Sequence, residues 1–216
     1  VSGLLLDISL HIGSFFAVII YFRNEIIEMF KNFRKLSYLV VAVTPILILG
    51  FLIAQMGLAD NLRSLKVIGW MTIIFGILLF ISDKSKIKKS YKNEFNFKDA
   101  LIIGLIHAIA LIPGVSRSGI IITGCRFSNF NRVDAAKISF FLSIPALTGA
   151  SFLSLNDLPD KTFEFNLAIF LSILFSFIFS YMTIKFLLYY LKKFSLNIFV
   201  YYRLVLSLLL FIIAYS

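Results

Sequence analysis

Charge is scarce in this sequence. Only 15% of its 216 residues are Asp, Glu, Lys or Arg, while 60% are apolar; a soluble domain of this size carries about a quarter charged residues. The few charges are clustered, leaving apolar stretches long enough to cross roughly 30 Å of hydrocarbon, which excludes an ordinary water-soluble domain. Cysteine is nearly absent. Cys125 is the single one, so an intrachain disulfide is excluded and the compartment is left open. Histidine occurs twice, His11 and His107, and never in a His-Glu-x-x-His spacing, so no metal motif of that kind is present. Acidic residues number 11 against 21 basic ones, a formal net charge of +10. The lysines lie between apolar runs and form no aromatic-interleaved basic face, which excludes nucleic acid as a partner; in a membrane chain such an excess sets orientation. No basic region precedes the first apolar run and no small-residue cleavage site follows it, which excludes a signal peptide.

Six stretches have the length a helix needs to cross a bilayer: Leu4–Phe22, Ser37–Met56, Leu65–Ile81, Ala135–Leu155, Leu167–Phe186 and Ile198–Tyr215. Helix is the structure expected, because it pairs every backbone polar group within its own segment. Ala100–Ile112 is too short to cross and stops at Pro113-Gly114-Val115-Ser116-Arg117-Ser118-Gly119. A second short apolar run, Ile120–Thr123, follows at once. Two half-length helices joined by a Gly/Pro/Ser loop predict a re-entrant hairpin over residues 100–127, tolerated at membrane depth where protein or a watery cavity surrounds it.

The basic residues orient these segments. Stretches 23–35, 82–99, 126–137 and 185–193 hold 4, 6, 3 and 3 Lys/Arg, or 16 of the 21, against 2 and 1 in 57–66 and 156–166. If the hairpin enters and leaves by one face, all four basic stretches are cytoplasmic and the C-terminus is outside, as positive-inside bias prefers. The predicted fold is therefore an all-α polytopic membrane protein built as an inverted repeat. Residues 1–99 form the first repeat, lacking its hairpin, and 100–216 the second. The chain opens on Val1-Ser2-Gly3 rather than Met, and the symmetry predicts that a few tens of residues carrying the partner hairpin precede Val1. Inverted repeats place their sites near the midplane, at broken helices.

Pro113–Gly119 carries the chemistry. Arg117 stands between two apolar half-helices, where an arginine costs at least about 2.5 kcal/mol unless paired or hydrated. Ser116 and Ser118 flank it, and Gly114 and Gly119 let the backbone turn and approach a ligand closely. The second half-helix is expected to start near Gly119, with its unpaired N–H groups pointing back at the loop. A helix start, glycines, hydroxyls and a forked guanidinium together suit a phosphate. The plain alternative is an Arg117 that pairs with a carboxylate and pins the hairpin.

The run Gly104-Leu-Ile-His-Ala-Ile-Ala-Leu-Ile-Pro-Gly-Val-Ser-Arg-Ser-Gly119 resembles the second signature of bacterial undecaprenyl-diphosphate phosphatases, the bacitracin-resistance protein family. Ala135–Pro145 resembles the span that follows it there. Leu6–Gly13 with Tyr21-Phe22-Arg23 resembles the family's early span, and Tyr201-Tyr202-Arg203 its last helix. The family usually has glutamine where this chain has His107. Its first signature, two glutamates followed by a Ser-Ser-Thr-Gly-His run, lies upstream of anything resembling Val1. The resemblance implies hydrolysis of undecaprenyl diphosphate to the monophosphate lipid carrier of peptidoglycan synthesis, with bacitracin resistance as a consequence. It also implies a bacterial cytoplasmic (inner) membrane location, with lipids and a polyprenyl diphosphate as partners. Arg117 and Ser116 are the expected catalytic residues, and Gly114, Ser118, Gly119, His107 and His11 the expected substrate contacts. A divalent cation, Mg2+ or Ca2+, is expected, with ligands mostly in the upstream segment. A chain lacking that segment is expected to have little activity. A homo-oligomer is compatible with the sequence, which does not fix the copy number.

Other acids substitute poorly for the upstream glutamates. Asp7 lies in a span, facing either the site or the membrane surface; Asp134 suits a helix N-cap; Asp83 reads as a solvated interfacial charge among lysines. His11 and His107 sit in apolar segments, where a hydrogen-bonded core histidine is the ordinary outcome. Arg203 reads as pairing within the bundle or reaching outward to the interface rather than binding substrate. A type 2 phosphatidic-acid-type phosphatase would need a histidine several residues beyond the arginine, and Ser118-Gly119-Ile120-Ile121-Ile122-Thr123-Gly124-Cys125 has none. The standing alternative is a transporter or flippase of a phosphorylated lipid or anion, which needs phosphate-binding groups but no acid-rich partner hairpin.

Overall fold

The structure, a computed structural model, describes residues 3–57, 64–156 and 166–215; the side chains of residues 3, 4, 54 and 146–156 are outside that description. The elements are α1 (Gly3–Tyr21), α2 (Arg23–Lys31), α3 (Phe33–Gln55), α4 (Leu65–Asp83), α5 (Tyr91–Glu94), α6 (Phe97–Ala108), α7 (Arg117–Phe127), α8 (Arg132–Asn156), α9 (Leu167–Lys193) and α10 (Asn197–Tyr215), with a 3-10 turn over Ile109–Leu111. Among the described residues there is no strand, only an isolated bridge between Lys89 and Phe130.

Among the described residues four helices are long and apolar enough to cross a membrane, Phe33–Ile53, Leu65–Asp83, Leu167–Lys193 and Asn197–Tyr215. A fifth span is available if α1 and α2, bent by 73° at Phe22, act as one. The protein is thus an all-α, multi-pass membrane protein. The predicted span Ala135–Leu155 coincides with α8, whose side chains from residue 146 lie outside the description. The predicted loop 57–66 is described only at its two ends, and 156–166 likewise. Exposed large apolar side chains such as Phe51, Trp70, Phe179 and Ile213 cover the long helices, as expected of surfaces that meet lipid rather than water.

The chain divides into two compact units, Val1–Leu36 with Phe140–Tyr190, and Ser37–Ser139 with Leu191–Ser216. In the first, α1 packs on α9 through small residues. A Cβ on Gly13 would run into the Ile173 carbonyl and stand 2.9 Å from Phe177 N, so glycine lets the two backbones meet, as small residues do between membrane helices. Ser14 Oγ then lies 3.0 Å from Ser176 Oγ and 2.9 Å from Ser180 Oγ, while Ser176 donates to the Leu10 carbonyl at 2.6 Å. Phe22, fully buried at the bend, packs edge-on against Phe141 with ring centroids 5.1 Å apart.

In the second unit α10 lies along α4, with Phe211 against Gly69 and Trp70. The chain leaves α4, folds out as α6, turns, and returns as α7 packed antiparallel beside α6. Ile106 touches Gly124 in this pairing, and the Lys88 and Lys89 N–H groups donate to the Asn129 carbonyl at 3.0 and 3.1 Å. Gly104 lets α6 approach the Ala42 backbone of α3, where a Cβ would stand 2.8 Å from the carbonyl oxygen.

Charges cluster at the open end of this helical pair. Asp83 is buried and accepts from Arg132 Nε at 2.6 Å, Arg132 Nη2 at 2.9 Å and the Leu196 N–H at 3.1 Å. This corrects the expected solvated interfacial charge: Arg132 returns beside Asp83 only after the whole hairpin has been traversed. Arg126, which sequence places in a basic connecting stretch, is 1% exposed and donates to the carbonyls of Asp83, Ser85 and Phe130. The cap of α8 is Asn131, whose Oδ1 accepts from Asp134 N at 2.8 Å. Asp134 instead accepts from Asn131 Nδ2 and from Tyr91 N, tying α5 to α8.

Candidate active site

The turn between α6 and α7 is held from behind. Gly114 has φ +92°, and a Cβ there would stand 2.5 Å from the Ile68 carbonyl oxygen of α4. Only glycine satisfies both the left-handed backbone and that approach. Its carbonyl accepts from Thr72 Oγ1 at 3.2 Å and from Arg203 Nη2 at 2.8 Å; the same Nη2 donates to the Val115 carbonyl at 2.7 Å. Val115 is fully buried and anchors the turn.

The next residue, Ser116, has φ +65°, an uncommon conformation for a residue with a side chain and one that concentrates at functional positions. It is the N-cap of α7: its Oγ accepts from Gly119 N at 3.3 Å and its carbonyl from Ile120 N at 3.0 Å. The helix therefore starts at Arg117, two residues before the position expected from the glycine. The Ser116 hydroxyl caps this earlier start. Of the unpaired N–H groups at a helix start, those of Arg117 and Ser118 have no partner among the described residues.

Ser116, Arg117 and Ser118 are exposed at this end, and Gly119 is half-buried. Among the described residues no carboxylate pairs with Arg117, so the alternative of a pinning ion pair does not hold there. A free guanidinium, two free N–H groups and two hydroxyls thus converge on one helix N-terminus, whose dipole adds partial positive charge.

The structure brings six of the seven expected residues into one unit. Five lie on this turn: Gly114, Ser116, Arg117, Ser118 and Gly119. His107 is on α6, fully buried, and neither ring nitrogen has a hydrogen-bond partner; the Ala42 carbonyl lies nearby without meeting hydrogen-bond geometry, and the charge that bears on the ring is that of Arg117. His11 falls in the other unit, where its Nδ1 bonds the Asp7 carbonyl at 2.8 Å. Asp7 itself is exposed. Arg203 pairs within the bundle, as the sequence reading expects, and its partners are the turn's own carbonyls. Its three-residue match to the family's last helix was the available signal, and it said nothing of where the side chain reaches. Among the described residues no group of three His, Cys, Asp or Glu could hold a metal ion.

Residues 2–209 match the family described as bacitracin resistance protein BacA. The chain belongs to that family. Among its BacA relatives, a protein of Pelagibacter ubique named undecaprenyl-diphosphatase is 49% identical over 216 residues, all of this chain and 84% of the relative. Proteins of the same name from Elusimicrobium minutum and Ruegeria pomeroyi are 39% and 34% identical, covering 99% and 100% of this chain and 84% and 86% of their own lengths.

Proposed function

We propose that this protein hydrolyses undecaprenyl diphosphate, with water, to undecaprenyl phosphate and inorganic phosphate. This returns the lipid carrier to peptidoglycan synthesis and confers bacitracin resistance. The carrying observation is the family match over residues 2–209, with the phosphate-suited turn lying inside it. Cleaving a phosphoanhydride spreads negative charge over the phosphoryl oxygens, so fixed positive groups facing that charge lower the barrier.

Arg117 holds the diphosphate through paired charge-assisted hydrogen bonds. The N–H groups of Arg117 and Ser118 and the Ser118 hydroxyl take further oxygens, and Gly114 and Gly119 keep the backbone close to them. Ser116 accepts one N–H as cap and retains its own hydroxyl proton for the substrate. His107 is the remaining substrate contact in this reading. The pair α6–α7 enters and leaves by one membrane face: the bonds from Lys88 and Lys89 to Asn129 hold its two ends together, which supports re-entry. The membrane is the bacterial cytoplasmic one.

The test is phosphate release by the purified intact protein in detergent, given undecaprenyl diphosphate. One inorganic phosphate per lipid monophosphate formed is expected. Intact diphosphate lipid moved between the leaflets of a reconstituted vesicle, with no phosphate released, would overturn hydrolysis in favour of transport.

A further inference from the structure

Arg203 is more committed to this turn than holding two carbonyls requires. Its side chain leaves α10 where Gly76 of α4 makes room for the stem, with Arg203 Cβ 3.5 Å and Cδ 3.9 Å from the point where a Gly76 Cβ would stand. A guanidinium has five N–H donors. The two on Nη2 are taken by the Gly114 and Val115 carbonyls; those on Nη1 and Nε have no acceptor among the described residues, and no carboxylate there pairs with the group. Yet Arg203 is only 6% exposed. A buried cation without a counter-charge is costly, and the ordinary remedy is an anion.

Its direction is fixed by Gly119. The position of a Gly119 Cβ lies 2.9 Å from Arg203 Nη1 and 3.1 Å from Ser116 Oγ, so Nη1 borders the same half-buried end of α7 as the capping hydroxyl. A helix of 11 residues begins there, with two of its N–H groups free.

We propose that Arg203 is a second phosphate-contacting residue, whose Nη1 meets one phosphoryl group of the substrate while Arg117 meets the other, so that the site selects a diphosphate over a monophosphate. This rests on the phosphatase reading above. The two cations differ in kind. Arg117 is exposed and free to move with its ligand, whereas Arg203 is fixed by two carbonyls and pre-organised, a combination that measures the spacing between two charged groups. A monophosphate needs only one of them, so removing Arg203 weakens the diphosphate more than the monophosphate.

The experiment compares the wild-type intact protein with Arg203→Gln and Arg203→Lys in detergent. It measures KM and kcat for undecaprenyl diphosphate and Ki for the undecaprenyl phosphate product. Arg203→Gln is expected to lower the ratio of product Ki to substrate KM at least tenfold, with Arg203→Lys intermediate. An unchanged ratio, including one accompanied by a lower kcat and poorer heat resistance, would reduce Arg203 to a brace for the turn and overturn the proposal. Should Arg203→Gln fail to fold, Gly119→Ala takes its place. Its methyl would press on Nη1 while leaving both carbonyl bonds, and the same shift in ratio is expected. If the wild-type protein releases no phosphate at all, the phosphatase reading fails by itself. Calorimetric binding of inorganic pyrophosphate against orthophosphate then decides for Arg203: a preference for pyrophosphate lost in Arg203→Gln supports it, and no such loss refutes it.

Discussion

Replacing Gly114 with alanine perturbs the turn at its tightest point. The added Cβ would stand 2.5 Å from the Ile68 carbonyl oxygen, 2.9 Å from its Cα and 3.1 Å from its carbonyl carbon. All three are backbone atoms of α4, so no side-chain rotation relieves the overlap. The backbone at φ +92° adds left-handed strain. Strain of about 1–2 kcal/mol and overpacking of about 1–3 kcal/mol sum to about 2–5 kcal/mol. Relief requires the turn to move away from α4, stretching the Thr72 and Arg203 bonds to the Gly114 carbonyl and carrying Ser116 and Arg117 with it. A shift of about 1 Å at a positioned group costs on the order of 10²-fold in rate. The assay is phosphate release from undecaprenyl diphosphate together with the temperature of half-inactivation in detergent. Gly50→Ala is the control, since its Cβ would meet only Leu111 Cδ2 at an ordinary 3.4 Å; it should stay within about 1 kcal/mol of wild type. Wild-type turnover and heat resistance in Gly114→Ala would refute the placement of this turn against α4.

Asp83→Asn removes the charge that faces both Arg132 and the buried Arg126. Because the Arg132 side chain is 32% exposed and Asp83 only 5%, the loss is discounted to about 1–3 kcal/mol, read as a lower half-inactivation temperature; an unchanged temperature would contradict the ion pair. His107→Leu deletes two ring nitrogens that lack partners. If they serve substrate, phosphate release falls about tenfold without loss of heat resistance while His107→Gln stays near wild type, whereas a fully active His107→Leu removes His107 from the site. Cysteines placed at Asn93 and Asn131 should both label from one side of the membrane with an impermeant maleimide, the native Cys125 being fully buried. Labelling from opposite sides would end the hairpin.

Much of the architecture is legible because lipid imposes a length and a hydropathy that residues must match locally. Leu65–Asp83 and Asn197–Tyr215 emerge within three residues of the stretches read from composition. The turn at Pro113–Gly119 is equally readable, since proline and glycine break a helix by their own geometry. What sequence hides is whatever depends on partners far along the chain. Asp83 looked solvated among lysines because its arginine stands 49 positions away. Arg126 looked like one more basic loop residue because its acceptors are carbonyls, which no side-chain pattern reveals. Arg203 does pair within the bundle, but its partners are likewise carbonyls that sequence does not name. The start of α7 lies two residues before the glycine, at Arg117, because Ser116 caps it.

The most direct test of the account is the phosphate-release rate of purified Arg117→Ala with undecaprenyl diphosphate. Loss of a cation aimed at developing phosphoryl charge is worth about 2.7–4 kcal/mol, or on the order of 10²–10³ in kcat, and a fall of that size is predicted. Turnover within threefold of wild type would contradict it.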